Sequence, residues 1–382
     1  MPRTIIVPIV PREHDPAHVS LAAVPPARAL AERSGADVIL VTAVDVLPTF
    51  DPRTRSLAVP SDDARERLLA DERAFLAGLA TLFPNNRVET IVQWGHPLDA
   101  IIGVVTGTED PVLVVASQAR QGLRRVVRGS VAFRLVHEAP CPVLVVRGSR
   151  QEGAPTLAAT LATVLVPLDR SPFAEHALEA ALAVLGRPDV RVHLLHVIEP
   201  PAVPISVRKE VVDLARPDAE RYLRNLAERL LSRGYRVTVE VRAGNPFEHI
   251  AQTAAEQEAD LIAMATHGLT GLSRRLLGST AERLLAGAAV PLLLVRPDAA
   301  AIAAARELAA TEAAARVDAL RASPPPLWDR RVDAVMTTPA IVAVEETPLV
   351  DLVATMLTEG IGCVPIVNAD DQLVGIVTES DF

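Results

Sequence analysis

The stretch Met264–Arg296, MATHGLTGLSRRLLGSTAERLLAGAAVPLLLVR, follows the pattern of an earlier one, Val115–Arg147, VASQARQGLRRVVRGSVAFRLVHEAPCPVLVVR. Every position is displaced by 149 residues, which lays Gly129-Ser130 on Gly278-Ser279 and Pro142 on Pro291. The same displacement carries Gly95 and Pro97 onto Gly244 and Pro246. Matches that share one register are the mark of an internal repeat, so the two copies are expected to share one fold.

Within the second copy, short apolar runs alternate with helical periodicity. Val164 to Leu168 reads as a buried parallel strand. Ser171-Pro172 supplies an N-cap and a first-turn proline, and Leu178, Ala181, Leu182 and Leu185 follow at helical spacing. Val192 to Ile198 reads as a strand, and Pro217 to Ser232 as an amphipathic helix with Leu223, Leu226 and Leu230 on one face and Gly234 past its end. Tyr235 to Val241 alternates apolar and polar like a strand with one wetter face. Phe247 to Gln257 is expected as helix, Leu261 to Ala265 as strand, Ser279 to Ala286 as helix and Pro291 to Val295 as strand. Strict alternation with right-handed crossovers predicts an α/β fold of two tandem doubly wound five-stranded parallel sheets, the first running from Ile5 to Val146. The terminal strands, Pro142 to Val146 and Pro291 to Val295, are sheet edges that can pair with each other and make a pseudo-dimer within one chain; a homodimer is the other arrangement open to the fold.

Composition agrees with several folded units. The chain has 382 residues, more than one ordinary core, and 49% apolar against 22% charged residues is the balance of a globular protein. Aromatics are 3%, so Ala, Val and Leu must fill the cores. A net charge of −9 with no basic tract excludes nucleic acid as a partner. Two cysteines, Cys141 and Cys363, stand far apart without metal-type spacing, which points to a reducing compartment, the cytoplasm. No apolar run approaches the ~20 residues of a membrane helix, so no membrane insertion is expected. Lys209 is the only lysine and no glycine precedes it at P-loop spacing, which excludes a Walker-type phosphate loop and a kinase lysine.

The expected boundaries are 1–149 and 160–297 for the two repeats. An alanine-rich helical connector and a Pro-rich linker, Ser323-Pro324-Pro325-Pro326, fill 298–326, and a short α/β unit occupies 327–382.

Ligands of open parallel sheets settle outside the carboxyl ends of strands where the winding reverses. In the second repeat Asp169 stands at such an end, and another strand runs into Ala265-Thr266-His267-Gly268, followed by Gly278-Ser279. Gly268 lets backbone approach a polyanion, and Gly278-Ser279 opens a helix whose N–H groups and positive dipole end suit phosphate. The Ser279 hydroxyl is expected to cap that helix and to donate to a phosphate oxygen. Taken alone, Asp169 would more often cap the next helix and Gly278-Ser279 would be an ordinary helix start; it is their spacing at a switch point that favours a ligand.

Together, Val166-Pro167-Leu168-Asp169, Leu194-Leu195-His196-Val197, Gly244-Asn245-Pro246, and Ala265-Thr266-His267-Gly268 with nine residues before Gly278-Ser279 resemble the universal stress protein family. The resemblance spans about three quarters of the chain. It implies the adenine-nucleotide alpha-hydrolase-like fold, pairing of domains, and bound ATP or AMP, with Mg2+ as an accompanying ion. Pro167, Leu168, Asp169 and Val197 would contact the nucleoside, His267, Gly268, Gly278, Ser279 and Thr280 the phosphates, and Ala265 would belong to the same binding site. Ala265 replaces the signature's first glycine. If that position is left-handed, alanine costs about 1–2 kcal/mol; if it is extended, the change is nearly free.

The first repeat departs further. Val10 takes the place of the acidic residue, and Ala116 and Ala119 replace both early glycines, leaving Gly129-Ser130. No nucleotide binding is expected there. His193 and His196 lie three apart on a strand, facing opposite sides, and Pro16 separates His14 from His18, so neither pair is expected to hold a metal. Arg124, Arg125, Arg274 and Arg275 read as solvated loop residues able to steer phosphates.

At the C-terminus, Met336-Thr337-Thr338-Pro339, Cys363-Val364-Pro365-Ile366-Val367 and Val374-Gly375-Ile376-Val377-Thr378-Glu379-Ser380-Asp381 resemble one CBS motif, whose adenosyl contacts would fall on Thr378 and Asp381. The expected function is a nucleotide-binding regulator or stress-response sensor with a protein partner of unknown kind, not an enzyme. The alternatives are a slow ATP hydrolase, and an interaction scaffold or regulator of a transporter.

Overall fold

The computed structural model describes the chain except residues 1, 12–14, 16–18, 46–48, 52–55, 59–60, 119–130, 149–160, 187, 200–204, 267–276, 298–301, 304–340, 345, 349–350, 353–354, 357–362, 369–371 and 379–382. It divides into two units, Met1–Leu308 and Ala309–Phe382.

In the larger unit the first repeat contributes β1 (Thr4–Pro8), a 3-10 turn (Val19–Ala23), α1 (Val24–Ser34), β2 (Asp37–Val44), β3 (Thr49–Asp51), β4 (Ser56–Ala58), α2 (Asp62–Ala80), β5 (Val88–Trp94), α3 (Pro97–Thr106), β6 (Pro111–Gln118), α4 (Val131–Glu138) and β7 (Val143–Gly148). The second contributes β8 (Thr163–Pro167), α5 (Pro172–Leu185), β9 (Arg191–Ile198), α6 (Ile205–Ser232), β10 (Arg236–Ala243), α7 (Pro246–Glu256), β11 (Leu261–Ala265), α8 (Ser279–Gly287) and β12 (Leu292–Val295). Strand order runs β10-β9-β8-β11-β12-β7-β6-β1-β2-β5, so each repeat is a five-stranded parallel sheet in the same internal order. The two meet at β7 and β12, which pair antiparallel with Leu293 opposite Leu144, and ten strands become one sheet. Because the halves run in opposite directions, their strand C-termini open at opposite ends of that sheet.

Alternation along each strand sends side chains to two apolar layers. Ile5, Val7, Val164 and Val166 pack on one face with α1, α2, α5 and α6 through residues such as Leu30, Leu76, Leu178 and Leu226. Ile6 and Leu165 face the other layer with Leu98, Leu135, Ile250 and Leu284 of α3, α4, α7 and α8. Both layers run through both repeats, and Arg33 of α1 links them, donating to the Leu185 carbonyl of α5 at 3.3 Å and reaching the Asp189 carboxylate in the following turn at 2.5 Å.

Two features differ from the sequence reading. The antiparallel pair β3–β4 was not anticipated. Nor was the length of α6, which begins at Ile205 and carries Pro217 inside it. An internal proline costs a helix about 3 kcal/mol or more. Pro217 is exposed, so water can reach the carbonyl it leaves unbonded, and the buried row Ala219, Leu223, Leu226 and Leu230 holds the helix down.

In the smaller unit β13 (Ala343–Val344), β14 (Cys363–Val367) and β15 (Leu373–Thr378) form a sheet around Leu352, Met356 and Val364. Thr378 ends β15, while Asp381 lies outside the described residues. Apart from Ile302 and Ala303, the connector and linker expected over 298–326 lie outside them within 304–326 and 298–301.

Candidate functional site

The chain leaves β8 for β9 on one side and reaches β11 on the other, so the winding reverses between β8 and β11. A cavity of about 450 Å³ opens at their carboxyl ends. That is within the range of about 300–1,000 Å³ usual for small-molecule sites.

Pro167, Leu168 and Asp169 reach it from the end of β8, Val197 from β9, Ala265 from β11, and Gly278, Ser279 and Thr280 from the start of α8. His267 and Gly268 lie outside the described residues, as do Arg274 and Arg275. Pro246 and Ile250 of α7 supply an apolar wall.

Asp169 is exposed toward the cavity, and its Oδ1 accepts the Ser171 N–H at 3.0 Å and the Ser171 hydroxyl at 2.5 Å. Buried Ser171, not Asp169, caps α5 by accepting the Ala174 N–H at 3.1 Å. The carboxylate thus orients the cap, and the cap in turn fixes the loop that carries the carboxylate. Between them Arg170 adopts φ 68°, a left-handed conformation unusual for a residue with a side chain.

At the opposite wall, Gly278 is the N-cap of α8, extended at φ −58° and ψ 145°, with no side chain capping the helix. The expectation that Ser279 caps it is corrected: Ser279 is already the first helical residue, and a cap must precede it. The Gly278 N–H is anchored to the Thr266 carbonyl at 2.8 Å, which points the following turn at the cavity. The first N–H groups of a helix have no partner within it and carry its positive dipole end. Ala265 belongs to strand β11 and is not among the residues with positive φ, so alanine there is nearly free of strain.

His196 completes the wall built from the ends of β8 and β9. Its Nδ1 lies 2.7 Å from the Leu168 carbonyl, which can only accept, so Nδ1 carries the proton and Nε2 of the neutral ring is an acceptor. Burial holds the His196 pKa below its ordinary value, against the opposing effect of that carbonyl. His193 turns elsewhere, Nδ1 meeting Thr238 Oγ1 at 2.7 Å and Nε2 meeting Glu240 at 3.1 Å. The sequence reading did not single out Arg170, Glu199 and Thr266, which also line the cavity. The usable signal was their position in the first three residues after β8, β9 and β11.

The first repeat places Val10 where the second places Asp169. Ile9 donates its N–H to Val41 at 2.8 Å, as Leu168 does to Leu195 at 2.8 Å, and Val10 follows with 42% of its surface exposed. The nearby carboxylate of Asp15 is buried and accepts from Val19 N–H, Ser20 N–H and the Ser20 hydroxyl. Ala119, Gly129 and Ser130 lie outside the described residues.

A ten-stranded sheet of two doubly wound repeats, with a crevice at the switch point of the second, defines a tandem α/β protein of the doubly wound class. The family model described as the universal stress protein family matches residues 1–147 and 161–296, so the chain belongs to that family, and a CBS domain model matches residues 332–382. Universal stress protein E of Escherichia coli K12 is 27% identical over 270 residues, covering 66% of this chain and 84% of its own. A universal stress protein of Methanocaldococcus jannaschii is 29% identical over 137 residues, 35% of this chain and 81% of its own. Among solved structures, a universal stress protein from Archaeoglobus fulgidus superposes with a TM-score of 0.55 at 17% identity, covering 78% of this chain and 97% of its own, a likeness of fold. Among the described residues no helix is long and apolar enough to cross a membrane.

Proposed function

We propose that the second repeat binds an adenine nucleotide, ATP or AMP, and that its occupancy is the signal of a regulatory, stress-response sensor. One observation carries this reading: a carboxylate at the end of β8 and the uncapped N-terminus of α8 open into the same cavity. Hydroxyl groups of a ribose suit the carboxylate, and phosphate suits the helix terminus. His196 Nε2 adds a neutral acceptor beside them, able to meet a base amino group or a sugar hydroxyl.

Among the described residues no group of three or more His, Cys, Asp and Glu could hold a metal. Mg2+ would therefore arrive on the phosphates, with Asp169 or Glu199 the carboxylates within the cavity for it. The antiparallel β7–β12 junction supports a pseudo-dimer inside one chain, with one nucleotide per chain instead of two. A reducing, cytoplasmic setting suits the buried thiol of Cys141.

Titration calorimetry with ATP and AMP tests the reading. The full chain should bind one equivalent, and Asp169→Ala should weaken binding about 10- to 100-fold, the equivalent of about 1.5–3 kcal/mol for a hydrogen bond to a charged group. Unchanged affinity in that variant would sink the assignment. ATP recovered intact after long incubation separates a sensor from a slow hydrolase.

A further inference from the structure

The loop between β8 and α5 carries a residue whose backbone and side chain are both out of the ordinary. Arg170 holds φ 68°, and the other described non-glycine residues with positive φ, Asp110 and Glu258, precede β6 and β11 at the amino ends of strands. Arg170 alone among them lies at a carboxyl end, and its exposed side chain lines the cavity. A left-handed conformation is disfavoured for any residue with a Cβ, and strain of this kind collects at functional sites.

The charge environment is equally uneven. Several arginines of the second repeat are ion-paired, Arg229 with Glu175, Arg233 with Glu179 and Arg242 with Glu240 and Glu256, while Arg216 and Arg236 donate to backbone carbonyls. Arg170 forms no ion pair among the described residues, although Asp169 is its neighbour and Glu199 lines the same cavity. Among the described residues lining the cavity it is the one permanent cation, set against those two carboxylates. Among those described residues an anionic ligand would otherwise meet two carboxylates and no cation. In the first repeat the residue after Val10 is Pro11, whose ring restricts φ to about −65°. That loop cannot make the left-handed turn at all.

Resting on the nucleotide reading above, we propose that Arg170 is the residue that sets the charge preference of the cavity: its guanidinium engages the phosphate chain of the bound adenine nucleotide, and the strained turn is retained because it seats that side chain at the cavity. The helix terminus of α8 supplies neutral N–H donors; Arg170 supplies the full positive charge, in a fork suited to phosphate oxygens. The site should therefore prefer ATP and AMP over adenosine, and that preference should reside in one side chain.

The test uses the full chain, with Arg170→Gly and Arg170→Lys beside it. Affinities for ATP, AMP and adenosine are measured by calorimetry at two salt concentrations, and the melting temperature is measured without ligand. In Arg170→Gly the ATP affinity should fall about tenfold and lose part of its salt dependence, adenosine affinity should stay the same, and the melting temperature should rise as the strain is released. Arg170→Lys should keep a good part of the ATP affinity without that rise. If ATP and adenosine affinities fall together, the loop positions the site and the charge claim is wrong. If ATP affinity does not change while the wild type binds it, Arg170 has no part in recognition and the nucleotide reading survives. A wild type that binds none of the three compounds would overturn both.

Discussion

The two repeats start from the same backbone hydrogen bond and end in different chemistry. Ile9 to Val41 and Leu168 to Leu195 are both 2.8 Å, and each fixes the exit from the first strand of its sheet in one register. Directly after it the first repeat has Val10-Pro11 and the second Asp169-Arg170. The register depends on apolar side chains filling two layers, and those layers run through both halves. The site depends on a few side chains beyond the strand ends, which the core does not need. A repeat can change the second without losing the first, and each half remains the edge partner of the other.

The largest expected effect probes what the repeats share. Leu40 on β2 and Leu194 on β9 are equivalent and fully buried in the same apolar layer. Leu40→Ala and Leu194→Ala should each cost about 2–5 kcal/mol. Because β7 and β12 join the halves, both variants should shift one common urea transition. Two separate transitions, each moved by one variant alone, would show that the halves unfold independently and that the shared sheet is a weak junction.

Much of this architecture was legible beforehand, and the reasons differ by region. The repeat offset and the alternation of apolar runs with capped helices located the strands to within a residue or two, because buried parallel strands are continuous apolar runs; Leu261–Ala265 was read with the bounds it has. Edge pairing was legible from the position of the last strand in each repeat. Of the residues expected at the crevice, those that the structure describes line it, from Asp169 near the end of β8 to Gly278-Ser279 at the start of α8, while His267 and Gly268 lie outside the described residues. What stayed hidden depends on three-dimensional company. Pro217 reads as a helix start, since nothing local tells that its turn faces water and that a buried row follows it. Ser279 reads as a cap because the residue type is a good one, yet the cap is decided by backbone angles, and Gly278 has them. Arg170 draws no reading at all, because a positive φ leaves no trace in side-chain chemistry.

A smaller effect separates the repeats at a position where their sequences agree. Gly95 and Gly244 follow the edge strands of their sheets with φ 134° and 140°, so alanine is strained at both, by about 1–2 kcal/mol. Around Gly95 the space is open. A Cβ on Gly244 would lie 2.6 Å from Nε2 of His249, which is held 3.0 Å from the Ala243 carbonyl. Gly244→Ala should therefore destabilise the protein more than Gly95→Ala, by about a further 1 kcal/mol. Combined with His249→Ala it should show a favourable coupling in a double-mutant cycle. Equal costs and no coupling would mean that the ring swings away freely and that the two turns are interchangeable.

The smallest effect is a pH dependence that belongs to the second repeat. At the positions of His193 and His196 on β9, the first repeat carries Ile39 and Thr42 on β2, which do not titrate in this range. Burial holds the pKa of His193 below its ordinary 6.5, with Arg242 and Arg191 adding to the fall and Glu240 opposing it; His196 is lowered by burial as well. The unfolded chain then takes up protons that the folded one refuses, so stability is full above about pH 6.5, falls as pH drops below it, and levels off beneath the folded-state values. His193→Gln, which cannot take up that proton, should flatten part of the decline between about pH 7.5 and pH 5, and the double variant with His196→Gln should flatten more of it. The effect is modest because the Glu240 carboxylate, 3.1 Å from Nε2, partly rewards the proton that burial penalises. Denaturation midpoints across that range check it: a decline as steep in the double variant as in the wild type would move the acid sensitivity out of β9, and with it the claim that the two halves differ in anything but their crevice.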